Sequence, residues 1–342
     1  MTVNPHALSE TAQAYEDQSI QRLFAVLPAR IKYLAELHLD TLDEIVLDLM
    51  QPVAFKLGNG HIEYTSENPA LAHLHHLCGE FSEQERDFIM NRIKTVRSDG
   101  RVGIEGTLHR ISVLTNRHKS PIGFTIRIGR IVPGVAEVLR PYIANASIML
   151  IGPPGKGKST ILRGMTRIKA EYHNRKCVVV DTSGEIGGDG DKWHPYINPA
   201  RRVQVPDPTR QREVLLRTLG NHTPSIIIID EMGAHPGDVE AVETIARRGI
   251  QVIGTAHGES LFDVFENPDL GPLVGRPNRD TGRRLTRPLF QTAIEVVDRG
   301  QYLVHDNLAD SIDRMLAGTE PKPLKVGNWN EISAEDLLGD LT

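Results

Sequence analysis

A glycine-rich stretch after an apolar run gives the first indication of chemistry in this chain. Residues 148–151 are apolar and lead into Gly-Pro-Pro-Gly-Lys-Gly-Lys-Ser, which fits the phosphate-binding loop pattern at every fixed position. Glycines let consecutive backbone N–H groups point at one phosphate, while the lysine adds a cation and the serine a hydroxyl for Mg²⁺. A helix that begins at Ser159 would turn its positive end toward the same anion. The stretch predicts a nucleoside-triphosphate site formed by Gly152, Pro153, Pro154, Gly155, Lys156, Gly157, Lys158, Ser159 and Thr160.

A second apolar run ends in two carboxylates. Four isoleucines at 226–229 precede Asp230 and Glu231, a pattern typical of a buried strand with its acidic end at the edge of a sheet. We expect Asp230 and Ser159 to ligate Mg²⁺ and Glu231 to polarise an attacking water. The plain alternative is a helix cap after a buried strand, but the upstream phosphate loop favours the catalytic interpretation. Since no Asn-Lys-x-Asp guanine-reading motif occurs, the pair favours ATP hydrolysis.

Two further strand ends carry polar groups. The segment Asp181-Thr182-Ser183-Gly184-Glu185 follows the apolar residues 177–180, so Glu185 is a candidate for a second water-orienting acid. A turn that satisfies its own backbone explains the same segment equally well. His257 follows another apolar run and is a candidate for coupling γ-phosphate sensing to a neighbouring element, with a packed, hydrogen-bonded histidine as the alternative.

The elements that must position these groups alternate between strand and helix after residue 147. Apolar runs at 148–151, 177–180, 226–229 and 251–254 are nearly continuous, as expected for strands buried on both faces of a parallel sheet. A strand pair near 289–297 and 301–305 would close the sheet. We therefore expect an α/β fold with a P-loop ATPase core.

The first part of the chain predicts a smaller α+β module. Residues 20–39 have helical spacing interrupted by Pro28, residues 42–50 fit either a helix or a strand, and several alternating segments follow up to residue 128. The predicted organisation is a mobile arm at 1–20, an α+β domain at 21–130, the P-loop domain at 131–318 and an acidic tail at 319–342.

Composition limits the class of protein. With 39% apolar and 24% charged residues, no apolar run approaches a membrane span, and the polar start does not resemble a signal peptide. We expect a cytoplasmic protein, for which peripheral membrane contact stays open. A net charge of −5 argues against a basic nucleic-acid coat, although Arg201-Arg202 and Arg283-Arg284 are local candidates for such contacts. Cys78 and Cys177 are expected to be buried thiols without a disulfide.

Two other clusters are ambiguous. His73, His75 and His76 invite a metal interpretation, but their spacing does not place all three on one helix face, so a packed or solvated role is favoured. The glycine-rich residues 187–192 lie next to the nucleotide motifs. They fit either a contact loop or a merely flexible one.

Together these motifs resemble the stage III sporulation protein AA-like ATPases, including their cyanobacterial and plastid branch. The likeness runs from about residue 27 to residue 318. More distantly, the layout is similar to the secretion and pilus-retraction ATPases, with residues 181–185 matching their acidic box, Asp230 and Glu231 their Walker B, and residues 255–258 their histidine box.

This resemblance implies a RecA-like core, a smaller N-terminal domain and a hexameric ring. It also implies that Arg127 or Arg130, at the junction between the domains, reaches a nucleotide. A C-terminal domain that binds single-stranded nucleic acid is not implied, because its Arg–His signature is missing: no histidine follows Gly318.

The sequence thus predicts a Mg²⁺-dependent ATPase that forms a homo-oligomer and moves or assembles an unknown protein or nucleic-acid partner. The catalytic candidates are Glu231, Glu185, Arg127, Arg130 and His257. Two alternatives stay open, namely a nucleotide-gated nucleic-acid-binding ATPase and a scaffold that binds ATP without turnover.

Overall fold

The computed structural model describes residues 5–58, 60–65, 79–94, 96–144 and 146–329, with side chains from residue 12 onward. The chain forms two compact units. The first comprises Met1–Ile131 together with Gly187–Tyr196, and the second comprises Val132–Ile186 together with Ile197–Thr342. Sequence reasoning placed a single boundary at residue 130, whereas the chain passes between the units three times.

The first unit is an antiparallel sheet with helices. Its six strands lie in the order β3-β2-β1-β6-β5-β4, and Leu42, Ile45 and Leu47 of β1 are fully buried. Residues 42–48, which fitted either helix or strand by sequence, are therefore strand, because β1 pairs with β2 and β6 on its two sides. The elements are α1 (Pro5–Phe24), α2 (Ala29–Glu36), β1 (Leu42–Asp48), β2 (Ala54–Leu57), β3 (Ile62–Tyr64), α3 (Glu83–Met90), β4 (Arg101–Gly103), β5 (Arg110–Thr115) and β6 (Pro121–Arg127).

The start of the chain differs from the expected mobile arm. Residues 5–24 form helix α1, and Ala12, Ser19, Ile20 and Leu23 along one side of it are buried. These positions recur at helical spacing, so one face of the helix packs against the core of the first unit. The sequence shows this periodicity only weakly, because polar residues dominate the segment.

The glycine-rich loop is held within the first unit. Asp189 forms a 2.5 Å ion pair with Arg97, and its side chain is only 4% exposed. The Glu105 carboxylate accepts hydrogen bonds from the backbone N–H groups of Asp191 and Lys192 at 3.1 and 2.9 Å. These contacts hold the loop through the Asp189 side chain and the backbone of Asp191 and Lys192, while its expected contact role stays a prediction.

The second unit is an α/β fold. Its elements are α4 (Arg140–Ile143), β7 (Ile148–Ile151), α5 (Lys158–His173), β8 (Cys177–Asp181), β9 (Arg201–Gln204), α6 (Gln211–Asn221), β10 (Ile226–Met232), α7 (Asp238–Arg247), β11 (Gln251–Ala256), α8 (Leu261–Glu266), β12 (Pro277–Asn278), β13 (Arg283–Arg284), β14 (Thr292–Asp298), β15 (Gln301–His305), α9 (Leu308–Leu316) and β16 (Leu324–Gly327).

An eight-stranded sheet organises this unit in the order β16-β15-β14-β7-β11-β10-β8-β9. The strands from β14 to β9 are parallel, and β15 and β16 add an antiparallel edge. All residues of β7 and β8 are buried, which explains their continuous apolar sequence. Strand β11 lies between β7 and β10, so one strand separates the strand that precedes the phosphate loop from the strand that ends in Asp230 and Glu231.

Two edge strands were not predicted. Strand β9 contains Arg201 and Arg202, whose polarity hides the strand pattern, and it pairs with β8 at the sheet edge. Strand β16 lies in the region expected to be an acidic tail, and it pairs with β15 through residues 324–327. Both strands are stabilised by backbone hydrogen bonds to a neighbour, which need no apolar sequence.

Several sequence expectations lie outside the described residues, namely those for His73, His75, His76 and Cys78 and for the tail beyond residue 329. Cys177 is a buried free thiol, as predicted, and burial raises its pKa to about 12. Among the helices in the described part of the chain, none combines the length and the apolar composition that a membrane crossing requires.

Candidate active site

The phosphate-loop residues connect β7 to α5 through a tight turn. Gly152 has a φ of 146°, and a Cβ at this position would lie 2.6 Å from the Val296 carbonyl oxygen. Gly157, immediately before α5, has a φ of 93°, in the left-handed region that favours glycine. The Gly152 N–H donates to the Gly258 carbonyl at 3.1 Å, which ties the loop to the end of β11. The glycines at positions 152 and 157 therefore adopt backbone conformations that favour glycine, as a tight turn between β7 and α5 requires.

Lys158 lies at the first turn of α5. Its ammonium group donates to the carbonyl oxygen of Pro153 at 2.8 Å and to that of Gly152. Burial lowers the pKa of Lys158, and the negative charges of Glu185 and Glu231 partly oppose this effect. Both carboxylates thus act electrostatically on the same cation.

Glu185 reaches the phosphate loop directly. The Ser159 hydroxyl donates to its carboxylate at 2.5 Å, and Arg163 on α5 donates to its backbone carbonyl at 2.6 Å. Asp181, by contrast, accepts a 3.4 Å hydrogen bond from the backbone N–H of Ile186. Asp181 therefore makes a local backbone contact, whereas Glu185 contacts the loop, and its role as a water-orienting acid stays a prediction.

Asp230 is 5% exposed at the end of β10. The hydroxyl and the N–H of Ser183 both donate to its carboxylate, the latter at 3.3 Å. Burial, followed by the negative charges of Asp181 and Glu185, raises the pKa of Asp230 to about 8. Carboxylates that destabilise one another in this way create a strong preference for a nearby cation.

These groups fit Mg²⁺ rather than a metal held by protein ligands alone. Within the described ranges, no group of three or more His, Cys, Asp or Glu side chains has the arrangement to hold a metal ion. Mg²⁺ is commonly bound through one or two carboxylates and completes its shell with water and substrate phosphate. The Ser159 hydroxyl and the carboxylates of Asp230 and Glu185 match that requirement.

The side chains of Glu231 and His257 are in contact across neighbouring strand ends. The His257 Nε2 atom lies 2.5 Å from the Glu231 carboxylate, and the two side chains are 62% and 41% exposed. The His257 side chain is thus exposed rather than packed, its contact with Glu231 fits the hydrogen-bonded alternative, and the coupling role stays a prediction. An exposed imidazole in contact with a carboxylate is accessible to a ligand at the same edge of the sheet.

The whole chain was also compared with known proteins. Its sequence matches the profile of the family described as Sporulation stage III, protein AA over residues 15–281. The chain belongs to this family. The resemblance inferred from the motifs is thereby confirmed.

Curated relatives include plastid proteins. The uncharacterized protein ycf45 of Porphyra purpurea is 37% identical over 321 residues, covering 88% of this chain and 54% of that protein. The protein SEEDLING PLASTID DEVELOPMENT 1 of Arabidopsis thaliana is 37% identical over 298 residues, covering 82% of this chain and 41% of that protein. This family member thus spans about half the length of these relatives.

A solved structure with a similar fold is the ATPase DotB of Legionella pneumophila. The TM-score is 0.50 at 14% sequence identity, and the match covers 82% of this chain and 80% of that one. At this identity the likeness concerns the fold alone. The predicted fold class, a RecA-like P-loop core with a mostly parallel sheet after a smaller α+β domain, is confirmed.

The two junction arginines of this family member belong to the first unit and differ in their surroundings. The Arg130 guanidinium donates to the carbonyl oxygen of Leu42 at 3.1 Å and to that of Leu39, and it lies 3.9 Å from the Glu16 carboxylate. Arg127 is the exposed last residue of β6. The guanidinium of Arg130 is therefore held by groups of its own unit, whereas Arg127 lies at an exposed strand end.

Sequence reasoning missed three residues that hold the carboxylates in place. Ser183 donates to the Asp230 side chain, the Thr255 hydroxyl donates to the Asp230 carbonyl, and Arg163 fixes the Glu185 backbone. Ser183 and Thr255 lie within the motifs recognised by sequence. Their hydroxyls at strand ends were the available signal, whereas Arg163 on a helix gave none.

Proposed function

We propose that this protein is a Mg²⁺-dependent ATPase that converts ATP and water into ADP and phosphate. The observation that carries the proposal is the gathering of Glu185, Asp230 and Glu231 around Lys158 and Ser159 at the carboxyl edge of one sheet. Their mutual electrostatic effects are visible in the raised pKa of Asp230 and in the charges that act on Lys158. A phosphate loop without such carboxylates would support binding alone.

The loop residues Gly152 to Thr160 bind the phosphates of ATP in this proposal. The N–H groups of the loop and the positive end of α5 face the β-phosphate. The Lys158 ammonium exchanges its two loop carbonyls for β- and γ-phosphate oxygens, a charge-assisted contact that is stronger than the bonds it replaces.

The Ser159 hydroxyl and the Asp230 carboxylate would hold Mg²⁺ in this proposal. The metal supplies charge neutralisation at the β- and γ-phosphates. Glu185 accepts the hydrogen bond of the Ser159 hydroxyl and acts electrostatically on Asp230, so it would orient the serine toward the metal.

Glu231 is the general base that accepts a proton from the attacking water. Its carboxylate is partly exposed and oriented by His257, which therefore couples the base to the end of β11. Arg127 is proposed to stabilise transition-state charge on a nucleotide bound by a neighbouring subunit of a ring, in the manner of an arginine finger. Arg130 serves that function only indirectly, through the fold of the first unit.

The hexameric ring, the movement or assembly of a partner, and the cytoplasmic location belong to the same proposal. They rest on the family membership and on the likeness to ring-forming ATPases implied by the motifs. A nucleotide-gated nucleic-acid-binding ATPase and an ATP-binding scaffold are outcomes that the test below distinguishes.

The test compares Glu231→Gln with the wild-type protein. We expect ATP binding by calorimetry to persist while steady-state turnover falls at least ~100-fold, because the amide keeps the shape and cannot accept the proton. Glu240→Gln, which changes an exposed carboxylate on α7, is the matched control. Wild-type turnover in Glu231→Gln, with loss of turnover in a parallel Glu185→Gln variant, would move the base to Glu185.

Measurements on the wild-type protein distinguish the ATP-binding scaffold from the nucleic-acid-gated ATPase. Tight ATP binding without turnover in the wild-type protein would indicate the scaffold. Stimulation of turnover by DNA or RNA, with a steep dependence on salt, would indicate the nucleic-acid-gated enzyme. Capturing proteins with Glu231→Gln in the presence of ATP would then identify a partner that associates with the ATP-bound form.

A further inference from the structure

The backbone of Asp230 and Glu231 lies where the regular hydrogen bonding between β10 and its neighbouring strands ends. The β8–β10 ladder ends at Val180 and Ile229, and the β10–β11 ladder has an irregularity between Ile229 and Met232. The carbonyl groups of Asp230 and Glu231 accept hydrogen bonds from side chains at this point. The position of the proposed base therefore depends on side chains rather than on the ladder.

One of these side chains is Gln211, the first residue of α6. It is 1% exposed, and its Nε2 atom donates to the Glu231 carbonyl oxygen at 2.6 Å and to the Asp238 carboxylate at 3.1 Å. Its Oε1 atom accepts a hydrogen bond from the Thr182 hydroxyl. This buried amide thus touches the end of β8, the end of β10 and the first turn of α7.

The partners fix the orientation of this amide. The Glu231 carbonyl oxygen can only accept a hydrogen bond, so it must face Nε2, and the Thr182 hydroxyl can donate to Oε1. Thr182 is only 6% exposed, so loss of its hydrogen bond to Oε1 would leave a buried hydroxyl without this acceptor, which makes the arrangement costly to disturb. The Gln211 side chain is consequently held by hydrogen bonds to three elements. A shift of β8 or α7 would therefore move the Glu231 backbone through this side chain.

We propose that Gln211 is a positioning residue for ATP hydrolysis that holds the Glu231 backbone in register with the acidic end of β8. The inference rests on the proposed function, in which Glu231 is the base. Because Gln211 contacts the backbone and not the carboxylate of Glu231, its loss should displace the base without removing it. Turnover should then fall while the phosphate loop, and with it ATP binding, is unaffected.

The decisive variant is Gln211→Met, which keeps the length of the side chain and removes its hydrogen bonds. We expect kcat to fall by about 10- to 100-fold, because displacement of a catalytic group by a fraction of an ångström has effects of this size. The Kd for ATP, measured by calorimetry, should change by less than about twofold, because Gln211 makes no contact with bound ATP in this proposal. Thr218→Val is the matched control, because Thr218 is equally buried in α6 and its hydroxyl has no hydrogen-bond partner among the described residues.

A double variant separates positioning from a general structural effect. Once Glu231→Gln has removed the base, adding Gln211→Met should lower kcat by no more than about twofold, because groups that act as a unit are not additive. A further drop equal to that of the single variant would overturn the proposal. So would wild-type kcat in a folded Gln211→Met protein, or a loss of ATP affinity parallel to the loss of kcat.

If Gln211→Met shows no cooperative unfolding transition and is therefore not folded, the Thr182→Val variant tests the proposal instead. It removes only the donor to Oε1, so kcat should fall by about threefold or more with unchanged Kd, and an unchanged kcat overturns the inference. The two proposals fail differently. Wild-type kcat in Glu231→Gln refutes the assignment of the base, whereas slow Glu231→Gln with fast Gln211→Met refutes only the role of Gln211.

Discussion

Asp230→Asn should stabilise the protein when divalent cations are removed. The Asp230 carboxyl is buried at the end of β10, and burial together with the charges of Asp181 and Glu185 raises its pKa to about 8. Asparagine keeps the shape and an acceptor for the Ser183 hydroxyl, but it carries no charge. Without a divalent cation, the charged Asp230 carboxylate destabilises the folded state. Replacing it with neutral asparagine removes this charge, so the folded state should become more stable.

The sign and size of the effect follow from the pKa. Protonated Asp230 stabilises the fold fully below the ordinary pKa of 3.8, and this stability is lost as the pH rises toward about 8. The two pKa values differ by about 4, which at about 1.4 kcal/mol per unit sets an upper bound of about 6 kcal/mol above pH 8. A weaker hydrogen bond from Ser183 to the neutral amide and relaxation of the site reduce the gain, so we expect about 1–3 kcal/mol.

Urea denaturation in EDTA between pH 4 and pH 8.5 measures this difference. The gain in unfolding free energy of Asp230→Asn over wild type should be near zero at pH 4 and should grow up to pH 8. Asp269→Asn, a change at an exposed aspartate, should show no such growth. With ATP and Mg²⁺ added, wild type should gain more stability than Asp230→Asn, because the variant has lost a metal ligand. A variant that is less stable than wild type at pH 8 in EDTA would refute the reasoning.

Three other predictions concern the loop and the junction. Lys158→Ala should weaken ATP binding by about 100-fold or more in calorimetry, since it removes the cation from the phosphates, and unchanged affinity would contradict the loop assignment. Gly152→Ala should lower both the unfolding temperature and ATP affinity, because its Cβ would lie 2.6 Å from the Val296 carbonyl oxygen, whereas normal behaviour would show that the loop can shift. Arg127→Ala should reduce turnover with nucleotide binding intact. Mixing it with Lys158→Ala subunits should restore some activity, and no recovery in rings shown to exchange subunits would exclude action in trans.

The phosphate loop and the sheet that carries it could be predicted from sequence for a physical reason. The loop's chemistry depends on a contiguous run of glycines, lysine and serine, so the pattern itself contains the site. Strand β7 occupies residues 148–151 as predicted, because a short strand buried on both faces must be apolar throughout. The acidic ends of β8 and β10 were recognisable because carboxylates directly follow the apolar runs, although Asp181 and Asp230 are themselves buried.

Elements stabilised by distant partners were harder to predict. Helix α1 packs one face against a core formed by strands far along the chain, and β16 depends on backbone bonds to β15. The inclusion of Gly187–Tyr196 in the first unit depends on pairs such as Arg97–Asp189, which are 92 positions apart. Such long-range pairs leave no local periodicity in the sequence.

The sequence by itself determined that a phosphate loop and three acidic or polar strand ends would share one edge of a parallel sheet. Each motif directly follows its strand in the chain, and the carboxyl ends of parallel strands lie at the same edge. Only the tertiary structure decided which groups meet there. It brought Glu185 to Ser159, paired Glu231 with His257 and placed the buried Gln211 amide against the Glu231 carbonyl. Those choices depend on side-chain reach, burial and the interrupted ladder of β10, which are properties of packed neighbours rather than of residue order.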